Sequence, residues 1–81
     1  MASYRISLGH TYWLLGDYPS ARSEFDQAHA VNRQLFGPTH PRTLDALAEV
    51  GNVDLRTGNF VAAEGNFRRV LSHMLEAYGR D

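Results

Sequence analysis

His10, His29, His40 and His73 are the side chains of this chain best suited to metal ligation or proton transfer near neutral pH. A zinc site needs its ligands at short, fixed intervals. These four histidines fall on four different segments, without a zinc-like spacing to one another or to a carboxylate. There is no Cys, so thiolate ligands, disulfides and a Cys nucleophile are all excluded. No Ser/His/Asp constellation, paired acid and base carboxylates or glycine-rich phosphate loop stands in a suitable context. The expectation is a protein that is not an enzyme, with no cofactor and no metal. His40, set between two prolines, reads as a capping or packing residue. Arg56 near a helix end suits the helix dipole, and Arg68-Arg69 reads as a solvated face.

The elements that must position these side chains are organised around Gly37-Pro38-Thr39-His40-Pro41. Pro38 and Pro41 lack backbone donors and disfavour the α region at the residues before them, so an incoming helix must end near Phe36. Gly37 is placed to take the left-handed conformation that closes a helix. Pro41 suits the first turn of the next helix, whose early N–H groups have no intrahelical partner. Helix stop, rigid linker and helix start follow one another within a few residues.

A shift of 42 residues brings Gly9 onto Gly51, Gly16 onto Gly58, Ala21 onto Ala63, Phe25 onto Phe67 and Gly37 onto Gly79. Similar residues fall between these identities: Leu8 with Val50, Tyr18 with Phe60, Phe36 with Tyr78. The helical periodicity predicts four helices, over residues 3–15, 18–36, 41–57 and 60–78. Ala21, Phe25, Ala28, Val31 and Leu35 run along one side of the second. Leu44, Leu47, Ala48, Gly51 and Leu55 form the stripe of the third, and Phe67, Val70, Leu71, Met74, Leu75 and Tyr78 that of the fourth. Asp17 is the N-cap candidate of the second helix, with Pro19 in its first turn. Glycine inside a helix costs about 1 kcal/mol relative to alanine, so Gly9 and Gly51 at equivalent places imply close packing, with Phe25 and Phe67 filling the space beneath. The fold class is all-α: two αα-hairpins stacked on each other.

The 81 residues suit one domain, too short for a large enclosed active site. A net charge of −1 leaves no electrostatic footprint for nucleic acid or for an anionic membrane surface. No apolar run approaches the ~20 residues of a membrane span, and no secretory leader pattern is visible. A cytoplasmic location is expected.

With these residues in view, the chain resembles the tetratricopeptide repeat. Leu8-Gly9, Tyr12, Gly16-Asp17-Tyr18, Ala21, Phe25 and Ala28 match its signature in the first unit. Val50-Gly51, Gly58-Asn59-Phe60, Ala63, Phe67 and Val70 match it in the second, with Asp54 where a tyrosine is expected. The common form of the repeat is about 34 residues long; the longer period and Gly-Pro-Thr-His-Pro linker look like the form found in kinesin light chains and in actinobacterial multidomain regulators. The expected organisation is a single domain over 1–81, with repeat 1 over about 3–36, a linker at 37–40, repeat 2 over about 41–78, and a third linker opening at 79–81. The resemblance implies a right-handed superhelix whose first helices line a concave groove for a peptide or partner helix. Carried across, the groove positions are Ile6, His10, Trp13 and Leu14 in the first unit and Ala48, Asn52, Leu55 and Arg56 in the second. Trp13 serves equally as a groove anchor or as a core residue. Asn52 holds the place of the asparagine that clamps a terminal carboxylate in some members, but the accompanying lysines are unmatched because all basic residues here are Arg.

Stacked repeats bury a continuous core between neighbours. The apolar fourth helix is therefore expected to leave Leu71, Met74 and Leu75 partly uncovered, and the chain to be a segment of a longer array that self-associates as a homodimer when alone. Three functions follow from the sequence: a protein-binding scaffold in a larger regulatory protein, a structural oligomerisation module working through its terminal helices, or a ligand-sensing regulatory domain.

Overall fold

A computed structural model describes residues 2–79, with side chains from Tyr4 onward. It contains four helices: α1 (Ala2–Leu14), α2 (Tyr18–Phe36), α3 (Pro41–Arg56) and α4 (Phe60–Tyr78). The all-α expectation holds, and the three helix bounds that differ do so by one residue each, at Ala2, Leu14 and Arg56. Arg80 and Asp81, the remainder of the expected third linker, lie outside the described residues. Each helix packs on the one before it, α1 on α2, α2 on α3 and α3 on α4. Among the described residues no helix is long and apolar enough to cross a membrane.

The caps explain the helix limits. Asp17 starts α2, its side chain accepting from Ser20 N at 3.3 Å. His40 starts α3: its Nδ1 accepts from Arg42 N at 3.1 Å, and its ring stacks on Phe36 with centroids 4.5 Å apart. The linker histidine thus both caps and packs. Gly37 has φ 93 and ψ 165, so it closes α2 at positive φ but in the extended region rather than the left-handed helical one expected for it. That region is essentially reserved to glycine, and Gly79 repeats it at φ 70 and ψ −163. Two further bonds tie the linker down. Thr43 Oγ1 donates to Gly37 O at 2.8 Å and Asn32 Nδ2 donates to Arg42 O at 3.1 Å, which accounts for the burial of both polar side chains.

The core lies between α2 and α3, with α1 laid against it. Ala21, Phe25, Val50 and Val53 form one buried cluster, against which Ile6, Tyr12, Trp13 and Tyr18 pack. Ala28 and Ala46 form a second, flanked by Ile6 and Val31. The expected packing of glycine against phenylalanine is direct. A Cβ on Gly9 would stand 2.4 Å from Phe25 Cε1, and one on Gly51 would stand 3.0 Å from Phe67 Cε1. Each ring therefore rests on the bare backbone of the preceding helix.

The burial of α3 and α4 departs from their sequence stripes. In α3 the buried face is broader than the predicted one, taking in Thr43, Ala46, Val50, Val53 and Asp54 beside Leu44, Leu47 and Gly51, while Leu55 at the end of the stripe is exposed. A helix covered from more than one side buries more than one stripe. In α4 the regular apolar pattern finds only α3 to pack on, and Ala63 is its single buried residue.

Asp54 is the position where the expected tyrosine of the repeat signature is missing. Its side chain is 0% exposed and joins three helices: Arg22 Nε of α2 donates to Oδ1 at 2.8 Å and Asn66 Nδ2 of α4 donates to Oδ2 at 2.9 Å. The bond to Asp54 raises the pKa of the Arg22 guanidinium, reinforced by the charge of Asp26. A polar bridge here replaces the aromatic packing that Tyr12 provides at the equivalent place in the first unit. The backbone is the same in both units: Asp17 N donates to Tyr12 O at 2.9 Å, and Asn59 N to Asp54 O at 2.8 Å.

Candidate functional site

The surface shared by α1 and α3 carries the candidate groove. Two contacts between non-consecutive helices define it. His10 Nε2 pairs with Glu49 Oε2, and the Arg56 guanidinium lies over the Trp13 ring, 5.5 Å from its centroid. Glu49 also accepts from Asn52 Nδ2 through Oε1, at 2.9 Å. One carboxylate thus holds the histidine of α1 and the amide of α3, leaving lone pairs on both oxygens for further donors.

Of the eight groove positions expected from sequence, His10 and Asn52 meet at this bridge, and Trp13 and Arg56 meet each other. His10 is half exposed and meets the Phe25 ring edge to face at 5.4 Å. Asn52 and Ala48 are half-buried, and Leu14, Leu55 and Arg56 are exposed, Leu14 at 85%. Ile6 packs against both core clusters. Trp13 packs against the core, meets Tyr18 at 78° with centroids 5.4 Å apart, and lies under the Arg56 guanidinium. Cation–π contacts of this kind contribute about 0.5–1 kcal/mol at exposed sites, so Arg56 both covers the indole and is positioned by it.

Glu49 is the residue that sequence reasoning passed over. It stands three residues before Asn52 on the same helix, a spacing that puts both side chains on one face. That adjacency was visible, but its pairing with His10 was not. Asn52 is also differently placed from a free clamp residue, since its amide already donates to Glu49. No group of three or more His, Asp or Glu side chains suited to a metal ion occurs among the described residues.

The α1–α3 surface thus carries a carboxylate shared by His10 and Asn52 and a guanidinium stacked on Trp13. The family model of the tetratricopeptide repeat matches residues 1–76. The chain belongs to the tetratricopeptide repeat family. Its repeats are non-catalytic and generally mediate protein–protein interaction. Searches of curated proteins and of solved structures gave no match. In this tetratricopeptide repeat chain the matched residues take in both hairpins, and with them every groove position named above.

The second candidate surface is α4. Leu71, Met74 and Leu75 are 58%, 46% and 44% exposed, and Phe60, Val61 and Tyr78 are exposed on the same helix. Phe67 and Val70 are half-buried against α3.

Proposed function

We propose that this chain is a protein-binding scaffold, taking an extended peptide or a partner helix along the α1–α3 surface as part of a larger regulatory protein. The observation that carries the reading is the Glu49 bridge between His10 and Asn52, which ties α1 to α3; Leu14 and Leu55 on the same two helices are exposed. A peptide lying there finds apolar contact at the leucines, donors and acceptors at the bridge, and a planar cation at Arg56. Preorganised side chains lower the entropy cost of association. The 42-residue period and the capped Gly-Pro-Thr-His-Pro linker support assignment to the kinesin-light-chain-like form of the repeat, as one domain of two repeats joined at 37–40.

The test is selection of binding peptides from a displayed random library on the whole chain, followed by measurement of the selected peptides on variants. Asn52→Ala, Leu14→Asp and Leu55→Asp are expected to weaken capture at least about tenfold each, roughly 1.4 kcal/mol, without altering the melting temperature. Peptides that bind all three variants as they bind the parent would sink the groove reading.

A second reading, self-association through α4, is favoured by the exposure of Leu71, Met74 and Leu75. Exposed contiguous apolar surface of this kind marks an interface. Sedimentation equilibrium separates the two. If α4 is the interface, the chain sediments above monomer mass, and Leu71→Gln with Met74→Gln returns it to monomer while leaving peptide capture intact. A parent chain that is monomeric at high micromolar concentration excludes this reading.

A further inference from the structure

The inner interface between α2 and α3 has a counterpart at each outer face of the molecule. Ala21 and Phe25 share one buried cluster with Val50 and Val53, and Ala28 shares another with Ala46. The α3 side of this interface is therefore Ala46, Val50 and Val53, at i, i+4 and i+7 on one helix face. A shift of 42 residues carries these three positions onto Tyr4, Leu8 and Thr11 of α1. All three are exposed, Tyr4 at 50% and Leu8 at 39%.

The same shift carries the α2 side of the interface onto α4. Ala21, Phe25, Ala28 and Asn32 are all buried. Their equivalents run from Ala63, which is buried, through half-buried Phe67 and Val70 to exposed Met74. Tyr4 and Leu8 carry more apolar surface than Ala46 and Val50, and Val70 and Met74 more than Ala28 and Asn32, yet all four are less covered. An end face of a repeat stack that is to meet water is polar; these two are apolar, and each has the character of one half of the inner interface.

We propose that the α4 face takes α1 of a second copy of this chain, head to tail, as α2 takes α3 within one copy. The inference rests on the reading of α4 as a self-association surface and names the surface that α4 meets. Tyr4 of one copy is set against Val70 of the next, as Ala46 is against Ala28, and Leu8 and Thr11 are set against Phe67 and Ala63. The Arg22–Asp54 ion pair of the inner interface has Glu64 and Tyr12 at its equivalent positions, where the phenol is able to donate to the carboxylate. An interface between two unlike surfaces leaves one of each open on every assembly, so association runs past the dimer. The stripe Tyr4, Leu8 and Thr11 is distinct from His10 and Trp13, so the α1–α3 surface stays open in the stack.

The experiment is sedimentation of the whole chain over a range of concentrations, where the average mass is expected to rise past that of a dimer. Tyr4→Ser with Leu8→Gln alters the α1 face, and Leu71→Gln with Met74→Gln alters the α4 face. Each double variant is expected to associate at least about tenfold more weakly while keeping its helical circular dichroism. An equimolar mixture of the two is expected to stop at a dimer, because each variant keeps the face that the other lacks. The chain has no Cys, so disulfide trapping reads the same contact with the faces otherwise intact: oxidation of mixed Tyr4→Cys and Val70→Cys chains is expected to link one to the other, and Val70→Cys alone is expected to stay unlinked. Association that the α1 substitutions leave unchanged, or self-linking of Val70→Cys, overturns head-to-tail stacking while leaving α4 as a self-association surface. A parent chain that is monomeric at high micromolar concentration overturns both.

Discussion

Replacing Gly9 by alanine puts a methyl carbon 2.4 Å from Phe25 Cε1, 2.7 Å from Cδ1 and 2.8 Å from Cζ. All three distances are far inside van der Waals contact, so the ring must move. It has little room to do so: Phe25 is 1% exposed, belongs to the main core cluster, and is met edge-on by His10. Overpacking of this kind costs about 1–3 kcal/mol, while the gain in helix propensity from Gly to Ala returns about 1 kcal/mol. The net effect is a loss of up to about 2 kcal/mol for Gly9→Ala. The same substitution at Gly51 puts its methyl 3.0 Å from Phe67 Cε1 and Cζ, against a ring that is only half-buried and free to yield by a few tenths of an ångström. There the propensity gain offsets the crowding, and Gly51→Ala falls near zero. Thermal unfolding by circular dichroism reads the difference, since 1 kcal/mol moves the melting temperature of a domain this size by about 4–8 °C. Adding Phe25→Leu to Gly9→Ala removes the clashing ring, so the double variant should lose less than the sum of the two single losses. Equal effects at the two glycines, or a Gly9→Ala chain more stable than the parent, would falsify the ring-on-backbone account.

Two other outcomes are expected. Arg22→Ala leaves the fully buried Asp54 carboxylate with only Asn66, whereas Asp54→Ala leaves behind a half-exposed Arg22 that water can solvate. Arg22→Ala should therefore destabilise by about 3–5 kcal/mol and Asp54→Ala by about 1–3 kcal/mol, and urea titrations giving the reverse order would refute the account of Asp54 as a desolvated charge. The lowered pKa of His29 arises from burial first, then from Arg69 and Arg33, with His73 acting the same way and Asp26 against. The folded state thus resists protonation that the unfolded chain accepts near pH 6.5. This group's contribution is neutral above that value, and stability is lost as pH falls through it towards the lower folded value. His29→Gln should flatten the fall in melting temperature between about pH 7 and pH 5, and a variant whose pH profile overlays that of the parent would count against the lowered pKa of His29.

The parts of the structure legible in the sequence are those whose causes lie close together along the chain. Asp17 and His40 act on backbone groups within three residues of themselves, so both caps could be read from residue type and position. The Gly9–Phe25 contact could be inferred because one hairpin brings those residues together and the second unit repeats the arrangement. The α1–α3 surface was only half legible. Leu14, Asn52, Leu55 and Arg56 could be named from the repeat pattern, but Glu49, which joins His10 to Asn52, could not, because its partner is 39 positions away on a helix that is not its neighbour in sequence. Asp54 looked like a lapse in the repeat signature, and only its two donors from different helices show it to be a bridge.

The sequence by itself determined the number of helices, their limits and their pairing into two similar hairpins. Proline and glycine restrict the backbone locally, and a 3.6-residue apolar period needs no knowledge of the partner. The tertiary structure decided which apolar stripe was covered. The regular pattern of α4 stays largely exposed while the less regular α3 is the most buried helix, because burial depends on how many neighbours surround a helix and not on its own periodicity. It also decided where unlike groups meet between non-consecutive helices: His10 with Glu49, and Trp13 with Arg56. Those meetings depend on the relative placement of two packed hairpins, which no short-range preference encodes.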